Sequence, residues 1–263
     1  MDIPSPMDLS GRVAIVTGAG SPAGIGFATA ELLGQLGASL VLAATTERVH
    51  DRVADLANHQ VPVSGLVGDL SRPAAATALV EHALQRFGRL DILVNNAGMI
   101  SQSDPDFQDG SIDSIDLNSW HASLARNLDT AFLVSKSALP AMREQGWGRI
   151  VMISSVTGPV MAMRADVSYA TAKAGMIGLT RALAVDLAEH NITVNAVAPG
   201  WIATASQTVH EQAQGLSTPS GRSARPGEVA FVAASLCCPG ASYLTGQCIV
   251  VDGGNSIAEE RSS

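Results

Sequence analysis

Seven short apolar runs recur along the chain: VAIVTG from Val13, ASLVLAA from Ala38, GLVGDL from Gly65, DILVNNAG from Asp91, RIVMISS from Arg149, ITVNAVAPG from Ile192 and CIVVDGG from Cys248. Within each run the apolar residues are continuous and do not alternate with polar ones, which fits strands covered on both faces. The stretches between them have helical spacing. Strands alternating with helices predict an α/β fold, a doubly wound parallel sheet of about seven strands between two helix layers.

Two of the intervening helices read cleanly. Gly24 to Leu36 closes at Gly37, a residue suited to a left-handed cap, and Ser168 to Glu189 carries Ala172, Met176, Leu179, Leu183 and Leu187 on one face. No repeat, low-complexity tract or linker interrupts residues 1–263, so a single domain is expected, with only the tail AEERSS reading as frayed. Two segments break the rhythm. After Gly98, MISQSDPDFQDGSIDSIDLNSW is acidic and weakly periodic, which fits either an active-site flank or a solvated loop. After Thr204, ASQTVHEQAQGLSTPSGRSARPG is polar, rich in small residues and ambiguous between helix and loop. Its place beyond a strand end predicts a mobile substrate lid over residues 203–226.

Composition narrows the class. With 46% hydrophobic and 15% charged residues, 263 residues can bury a large core. No run reaches the roughly 18 apolar residues of a spanning helix, so no membrane partner is expected. The opening MDIPSPMDLS has no basic region followed by an apolar core, and the expected location is the cytoplasm. Cys237, Cys238 and Cys248 form neither a disulfide framework nor a zinc spacing, so no metal is expected and they read as small buried hydrophobes. A net charge of -8 argues against a nucleic-acid surface.

The first strand runs directly into TGAGSPAGIG, Thr17 to Gly26, and then into a helix. Such a junction brings a pyrophosphate to the amides of a helix N-terminus, with glycines where side chains would block its approach. Here the sequence resembles the short-chain dehydrogenase/reductase family, whose usual turn is TGxxxGIG. Gly18 and Gly24 are separated by five residues instead of three, so the excess around Ser21 should lengthen the lip near the adenosine end. Gly18, Ser21, Gly24, Ile25 and Gly26 are the candidate contacts.

The end of the second strand bears on cofactor choice. A carboxylate there would bind the ribose hydroxyls of NAD and repel the extra phosphate of NADP. This chain has Ala44, then Thr45, Thr46, Glu47 and Arg48. The missing carboxylate, the hydroxyls of Thr45 and its neighbour, and Arg48 favour NADP(H), with NAD(H) left open because Arg48 is equally readable as a solvated helix residue.

The chain has only two tyrosines, and fourteen arginines to two lysines, yet Tyr169 and Lys173 stand four residues apart in SYATAKAG. On a helix that spacing puts both on one face, about 6 Å apart at Cβ. Lowering a phenol from about 10 to about 7 takes roughly 4 kcal/mol. An ammonium about 4 Å away, at an effective dielectric of about 20, supplies on the order of 4 kcal/mol. One lysine suffices, and the phenol could then exchange protons near neutral pH.

Resemblance to the same family extends along nearly the whole chain: Asp69-Leu70, NNAG from Asn95, RNLDTAFL around Asn127, GRIVMISSVTG through Ser155, YATAK from Tyr169, VNAVAPGWIAT from Val194 and YLTGQCIVVDGG near the end. The resemblance implies a Rossmann fold. It further implies that Ser155 polarises the substrate oxygen, Tyr169 exchanges its proton, Lys173 holds the nicotinamide ribose, and Asn127 anchors a water linking the lysine to solvent. Ser154 is then structural. Adenine would lie against Asp69 and Leu70, the sugar and phosphate path would follow Asn96, Ala97 and Gly98, and the nicotinamide amide would meet Ile202 and Thr204 beyond Pro199 and Gly200. Tyr169 and Lys173 would also touch the cofactor. A strand-end turn or a buried hydrogen bond explains each glycine and Asn195 equally well. Ser155 and Tyr169 are fourteen positions apart, one more than the family's usual spacing, so a bulge within the pocket is expected.

The substrate expectation follows from Ser155, Val156, Met161, Tyr169 and Trp201, with Val160 and Met163 nearby: a ketone, or its secondary alcohol, with a hydrophobic portion. Three alternatives stay open: an NAD-dependent alcohol dehydrogenase, a 3-oxoacyl thioester reductase, and a cofactor-sensing protein without turnover. The resemblance also implies a homotetramer.

Overall fold

The computed structural model describes residues 5–98 and 110–259. All seven apolar runs form strands: β1 (Val13–Thr17), β2 (Ser39–Ala44), β3 (Val63–Val67), β4 (Ile92–Asn95), β5 (Gly148–Ile153), β6 (Ile192–Pro199) and β7 (Cys248–Val251). They pair in parallel as one sheet of order β3-β2-β1-β4-β5-β6-β7. β1, β4, β5 and β6 are buried along their whole length, while the edge strands β3 and β7 are only partly covered. The edge position fits the weak β3 run in sequence: VSGLV carries a serine and a glycine in its middle, where a partly covered strand needs fewer large apolar side chains.

Eight α-helices accompany the sheet: α1 (Ile25–Gln35), α2 (Arg48–Asn58), α3 (Pro73–Phe87), α4 (Leu117–Leu124), α5 (Thr130–Gln145), α6 (Val167–Leu187), α7 (Val209–Leu216) and α8 (Pro226–Cys237), counted among the described residues. Successive strand residues point to opposite faces, and the two apolar layers divide accordingly. Ile15, Val41, Leu93 and Ile150 pack with α3, α5 and α6 through residues such as Leu79, Val134 and Met176. Val16, Leu42, Val94 and Val151 pack with α1 and α8 through Phe27, Leu33, Val229 and Leu236. Each large side chain buried this way contributes roughly 1.5–3 kcal/mol, so the two layers hold one domain.

Helix ends follow the expected chemistry. α1 starts just after Gly24, and Gly37 beyond its C-terminus has φ +96°. α6 buries Ala172, Met176, Ile177, Thr180, Ala184 and Leu187, with Leu179 and Leu183 packed at the margin of the layer. The polar segment after Thr204 is folded where its composition left it ambiguous. Thr208 Oγ1 accepts from the Glu211 amide at 3.2 Å and Glu211 Oε2 accepts from the Thr208 amide at 2.6 Å. That reciprocal cap starts α7. Gln207 Nε2 donates to Ser223 Oγ at 2.7 Å and ties the foot of the helix to its return.

Of the acidic stretch after Gly98, residues 99–109 lie outside the described residues, as does the tail beyond 259. The remainder enters α4, whose N-terminus is capped by Asp116 accepting from the Ser119 amide at 2.8 Å. α4 continues through one π-helical turn, Ala125–Asp129, into α5. No helix among the described residues is long and apolar enough to cross a membrane.

The two ends of the sheet differ in kind. At the N-terminal ends, the fully buried Asp91 accepts from Arg12 Nη1 at 2.9 Å, from Arg89 Nε and Nη2 at 2.7 and 2.6 Å, and from the Val13 amide at 2.9 Å. Arg12 and Arg149 both lie over the Trp147 ring, at 4.0 and 4.2 Å. Burial lowers the Arg149 guanidinium to about 10. At the C-terminal ends the strand order reverses between β1 and β4, which opens the crevice where doubly wound sheets bind ligands.

Candidate active site

A cleft of about 620 Å³ opens at that crevice. Its floor is built by close approach of backbones. Gly18, at φ +67°, leaves no room for a side chain, since a Cβ there would lie 2.8 Å from Ala97 Cα. A Cβ on Gly26 would lie 2.5 Å from Asn96 Nδ2 and 2.8 Å from Gly18 O. Asn96 Nδ2 uses the space by donating to Thr17 O and Gly18 O at 3.0 and 3.1 Å. Thr17 Oγ1 accepts from the Asn96 and Ala97 amides at 3.0 and 2.9 Å. The ends of β1 and β4 are thus stapled together, and Thr17 is a structural residue that the sequence reading passed over.

Most predicted contacts meet on the cleft wall. Gly18, Ser21, Gly24 and Ile25 line it from the turn, joined by Gly20. The Gly24 amide donates to Ser21 O at 3.2 Å, and Pro22 and Ala23 point outward, so the extra residues form a small closed turn with Ser21 facing inward. Thr45 and Arg48 line the next side with Ala44 and Thr46, and Arg48 Nε donates to Thr46 Oγ1 at 3.2 Å. Asp69 and Leu70 follow with Gly68 and Ser71. Hydrogen bonds from Ser71 and Arg72 hold the Asp69 carboxyl below its ordinary range. Asn96, Ala97 and Gly98 form the floor, and Thr204 closes the far end with Ala205 and Ser206.

Six predicted contacts are not on this wall: Gly26, Tyr169, Lys173, Pro199, Gly200 and Ile202. Gly26 lies behind the floor, as described. Gly200 packs on Asp252, whose Cβ would be 2.7 Å from an added Cβ. Pro199 ends β6 and its carbonyl accepts from the Val156 amide at 2.9 Å. Ile202 bridges to Ala224, and its carbonyl takes the Thr204 amide at 2.8 Å. Conversely, the sequence reading missed a whole wall made by Ala122, Ala125, Arg126 and Thr130 on α4, the π turn and α5.

The catalytic candidates gather where α6 crosses the end of β5. Lys173 is 2% exposed, and its Nζ donates to Ile153 O at 3.0 Å. Burial lowers it to about 8. Its Nζ lies 5.5 Å from the centroid of the Tyr169 ring. Ser154 Oγ donates to Lys173 O at 3.0 Å, which ties strand to helix. Ser155 is half-buried and its Oγ accepts from the Thr157 amide at 3.1 Å. The loop from Ser155 lies on α6, because an added Cβ on Gly158 would overlap Ala170 O. Before α6, Ala165 adopts φ +56°, a left-handed conformation that costs a non-glycine residue about 1–2 kcal/mol.

Asn127 lies in the π turn, 3% exposed, with Nδ2 donating to Ser123 O at 3.1 Å and Oδ1 buried without a partner. That oxygen borders the cleft floor: an added Cβ on Gly98 would lie 3.0 Å from it. Buried oxygens are rarely left unsatisfied, so Oδ1 fits a water or ligand there. Asn195 belongs to the framework, with Nδ2 donating to Leu244 O at 2.7 Å and Oδ1 accepting from the Gln247 amide at 3.1 Å. Among the proposed substrate residues, Val156 is buried, Met161 and Trp201 are half-buried, and Val160 and Met163 are exposed. Cys237 and Cys238 are buried and Cys248 half-buried, and burial pushes all three thiols up.

A glycine-lined floor that added side chains would fill, set at the start of α1 and at the crevice where the strand order reverses, fits a nicotinamide dinucleotide. A family model described as enoyl-(acyl carrier protein) reductase matches residues 18–256. The chain is 38% identical over 253 residues to the 3-oxoacyl-[acyl-carrier-protein] reductase FabG of Pseudomonas aeruginosa, covering 94% of this chain and 98% of that protein. It is 36% identical over 263 residues to the oxidoreductase UcpA of Escherichia coli (strain K12), covering 95% and 97%. The crystal structure of a dehydrogenase/reductase from Sinorhizobium meliloti 1021 superimposes with a TM-score of 0.86 at 27% identity, covering 97% of this chain and 98% of that one. With these likenesses running over nearly its whole length, the chain belongs to the short-chain dehydrogenase/reductase family and is an NAD(P)-dependent oxidoreductase.

Proposed function

We propose that the protein transfers hydride between NADP(H) and a ketone, or its secondary alcohol, bearing a hydrophobic portion, with Tyr169 as general acid and base. The carrying observation is the Lys173 ammonium, almost wholly buried and placed over the Tyr169 ring. The bound dinucleotide would supply or accept the hydride. Lys173 would hold the nicotinamide ribose and favour the phenolate of Tyr169, and the Ser155 hydroxyl would orient the substrate oxygen. Asn127 Oδ1 would bind the water through which Lys173 regains its proton. Gly18, Ser21 and Gly24 would receive the pyrophosphate, Asp69 and Leu70 the adenine.

The NADP(H) preference rests on Ala44, which leaves the second strand end without a carboxylate, and on the Arg48 guanidinium beside Thr46. The hydrophobic portion rests on Val160, Met161 and Met163 in the loop that follows β5 and on Trp201 just after β6. Residues 203–226, with α7, would serve as the lid. A homotetramer in the cytoplasm is part of the same reading, and the exposed Phe231 on α8, Tyr243 and Leu244 before β7, and Val250 on the edge strand β7 itself support association.

A second reading, reduction of 3-oxoacyl thioesters, is favoured by the name of the Pseudomonas aeruginosa relative. Steady-state rates with NADPH and NADH, each against a panel of aryl and alkyl ketones and a 3-oxoacyl thioester, separate the two. Turnover of apolar ketones with NADPH is expected. Preference for the thioester installs the second reading, and preference for NADH overturns the cofactor assignment. Dinucleotide binding with no carbonyl turnover would leave only a sensing role.

A further inference from the structure

We propose that Arg126 is a dinucleotide-binding residue that holds a phosphate group of the cofactor from the wall made by α4, the π turn and α5; this rests on the cofactor reading given above. Among the described residues lining the cleft, only Arg48, Asp69 and Arg126 carry titratable side chains. The turn from Gly18 to Gly24 has no basic residue. Asp69 keeps its negative charge, engaged by Ser71 and Arg72. Against a ligand whose pyrophosphate alone carries two negative charges, helix-end amides and a single exposed guanidinium at Arg48 supply little cationic charge. Arg126 adds a second, more deeply set one.

Its placement follows from local structure. Ala122, Arg126 and Thr130 recur at every fourth position and share the face turned to the cleft. The turn containing Arg126 is π-helical, and its wider pitch counters the angular drift that a four-residue spacing accumulates on an α-helix. The Arg126 carbonyl also approaches the floor, where an added Cβ on Gly98 would lie 3.5 Å away. Arg126 is half-buried, with Nη1 wholly inside. A guanidinium set this deep, with its fork geometry, suits phosphate oxygens better than a mobile surface lysine would.

Arg126→Met and Arg126→Lys variants, with retained fold checked by circular dichroism, would be titrated with NADPH and with NADH by nucleotide fluorescence at low and moderate salt. Loss of one charge-assisted bond corresponds to about a ten-fold or greater rise in Kd. An equal rise for both nucleotides in Arg126→Met, with a weaker salt dependence and partial recovery in Arg126→Lys, places the guanidinium at the shared pyrophosphate. A rise confined to NADPH places it at the 2′-phosphate. Both outcomes support the proposal. Unchanged Kd for both nucleotides overturns it, including when the variant is less stable, because Arg126 is then only a structural tie. Failure of the wild-type protein to bind either nucleotide is a separate result that overturns the cofactor reading itself.

Discussion

Lys173 Nζ sits 5.5 Å from the centre of the Tyr169 ring while donating at 3.0 Å to the Ile153 carbonyl, so the last residue of β5 fixes where the ammonium meets the phenol. The four-residue spacing supplies a common helix face, and the strand supplies the depth. Burying the ammonium nearly completely costs stability, and the site keeps it.

Tyr169→Phe removes the exchangeable proton and little else. Turnover should fall by about a hundred- to ten-thousand-fold, the usual range for a positioned acid or base, while the Kd of the dinucleotide stays within about two-fold. Stopped-flow rates and fluorescence titration on the same preparation check this, and a variant that keeps its turnover removes Tyr169 from the chemistry.

Burial lowers Lys173 from its ordinary 10.5 to about 8, so the unfolded chain holds this proton more tightly than the folded one. The group therefore destabilises the fold throughout the range below about 8, and that cost fades as pH rises to about 10.5. The difference in unfolding free energy between the wild-type protein and Lys173→Met should shift in favour of the wild type by about 3 kcal/mol between pH 7 and 11. Urea titrations across that range measure it; a difference independent of pH contradicts a buried, depressed ammonium.

Arg48→Ala should weaken NADPH by about ten-fold, in line with loss of one charge-assisted contact, and leave NADH almost unchanged. Equal effects on both would move Arg48 away from the 2′-phosphate.

Gly26→Ala forces a methyl against Asn96 Nδ2 and Gly18 O. The expected cost is about 1–3 kcal/mol, as for other overpacked sites, together with weaker dinucleotide binding because the floor must shift. Gly178→Ala, at a helical position with nothing within 4 Å of the added Cβ, should be neutral or stabilise by up to about 1 kcal/mol. Thermal unfolding of the pair gives the contrast, and a Gly26→Ala protein as stable as the wild type would contradict the close approach.

Asp91→Asn leaves Arg12 and Arg89 without their shared carboxylate at the end of the sheet remote from the cleft. Breaking such a buried cluster typically costs about 3–5 kcal/mol. Turnover per folded molecule should be unchanged, and a large fall in kcat at full folding would mean that the two ends of the sheet are coupled.

Much of this was legible in the sequence because the inner strands are apolar on both faces and announce themselves as continuous runs. The cleft was legible through Gly18, Gly24, Asn96 and their neighbours, which sit at strand ends that the topology forces together. The wall carrying Arg126 was not. Its residues are spaced by helical turns across a junction between α4 and α5, and no local pattern tells an α turn from a π turn. Nor was α7, where composition reads as loop and a single reciprocal cap at Thr208 decides for helix. The Asp91 cluster joins Arg12, Arg89 and Asp91 across a strand pairing, so it emerges only once β1 and β4 lie side by side.

The wide turn at Ala125–Asp129 joins α4 and α5. Deleting one residue there would swing everything beyond it by about 100°, taking Thr130 off the ligand side and unseating the whole of α5 from the sheet. Only the solvent-facing side chains of this rod are therefore free to vary, whereas its residue count is fixed.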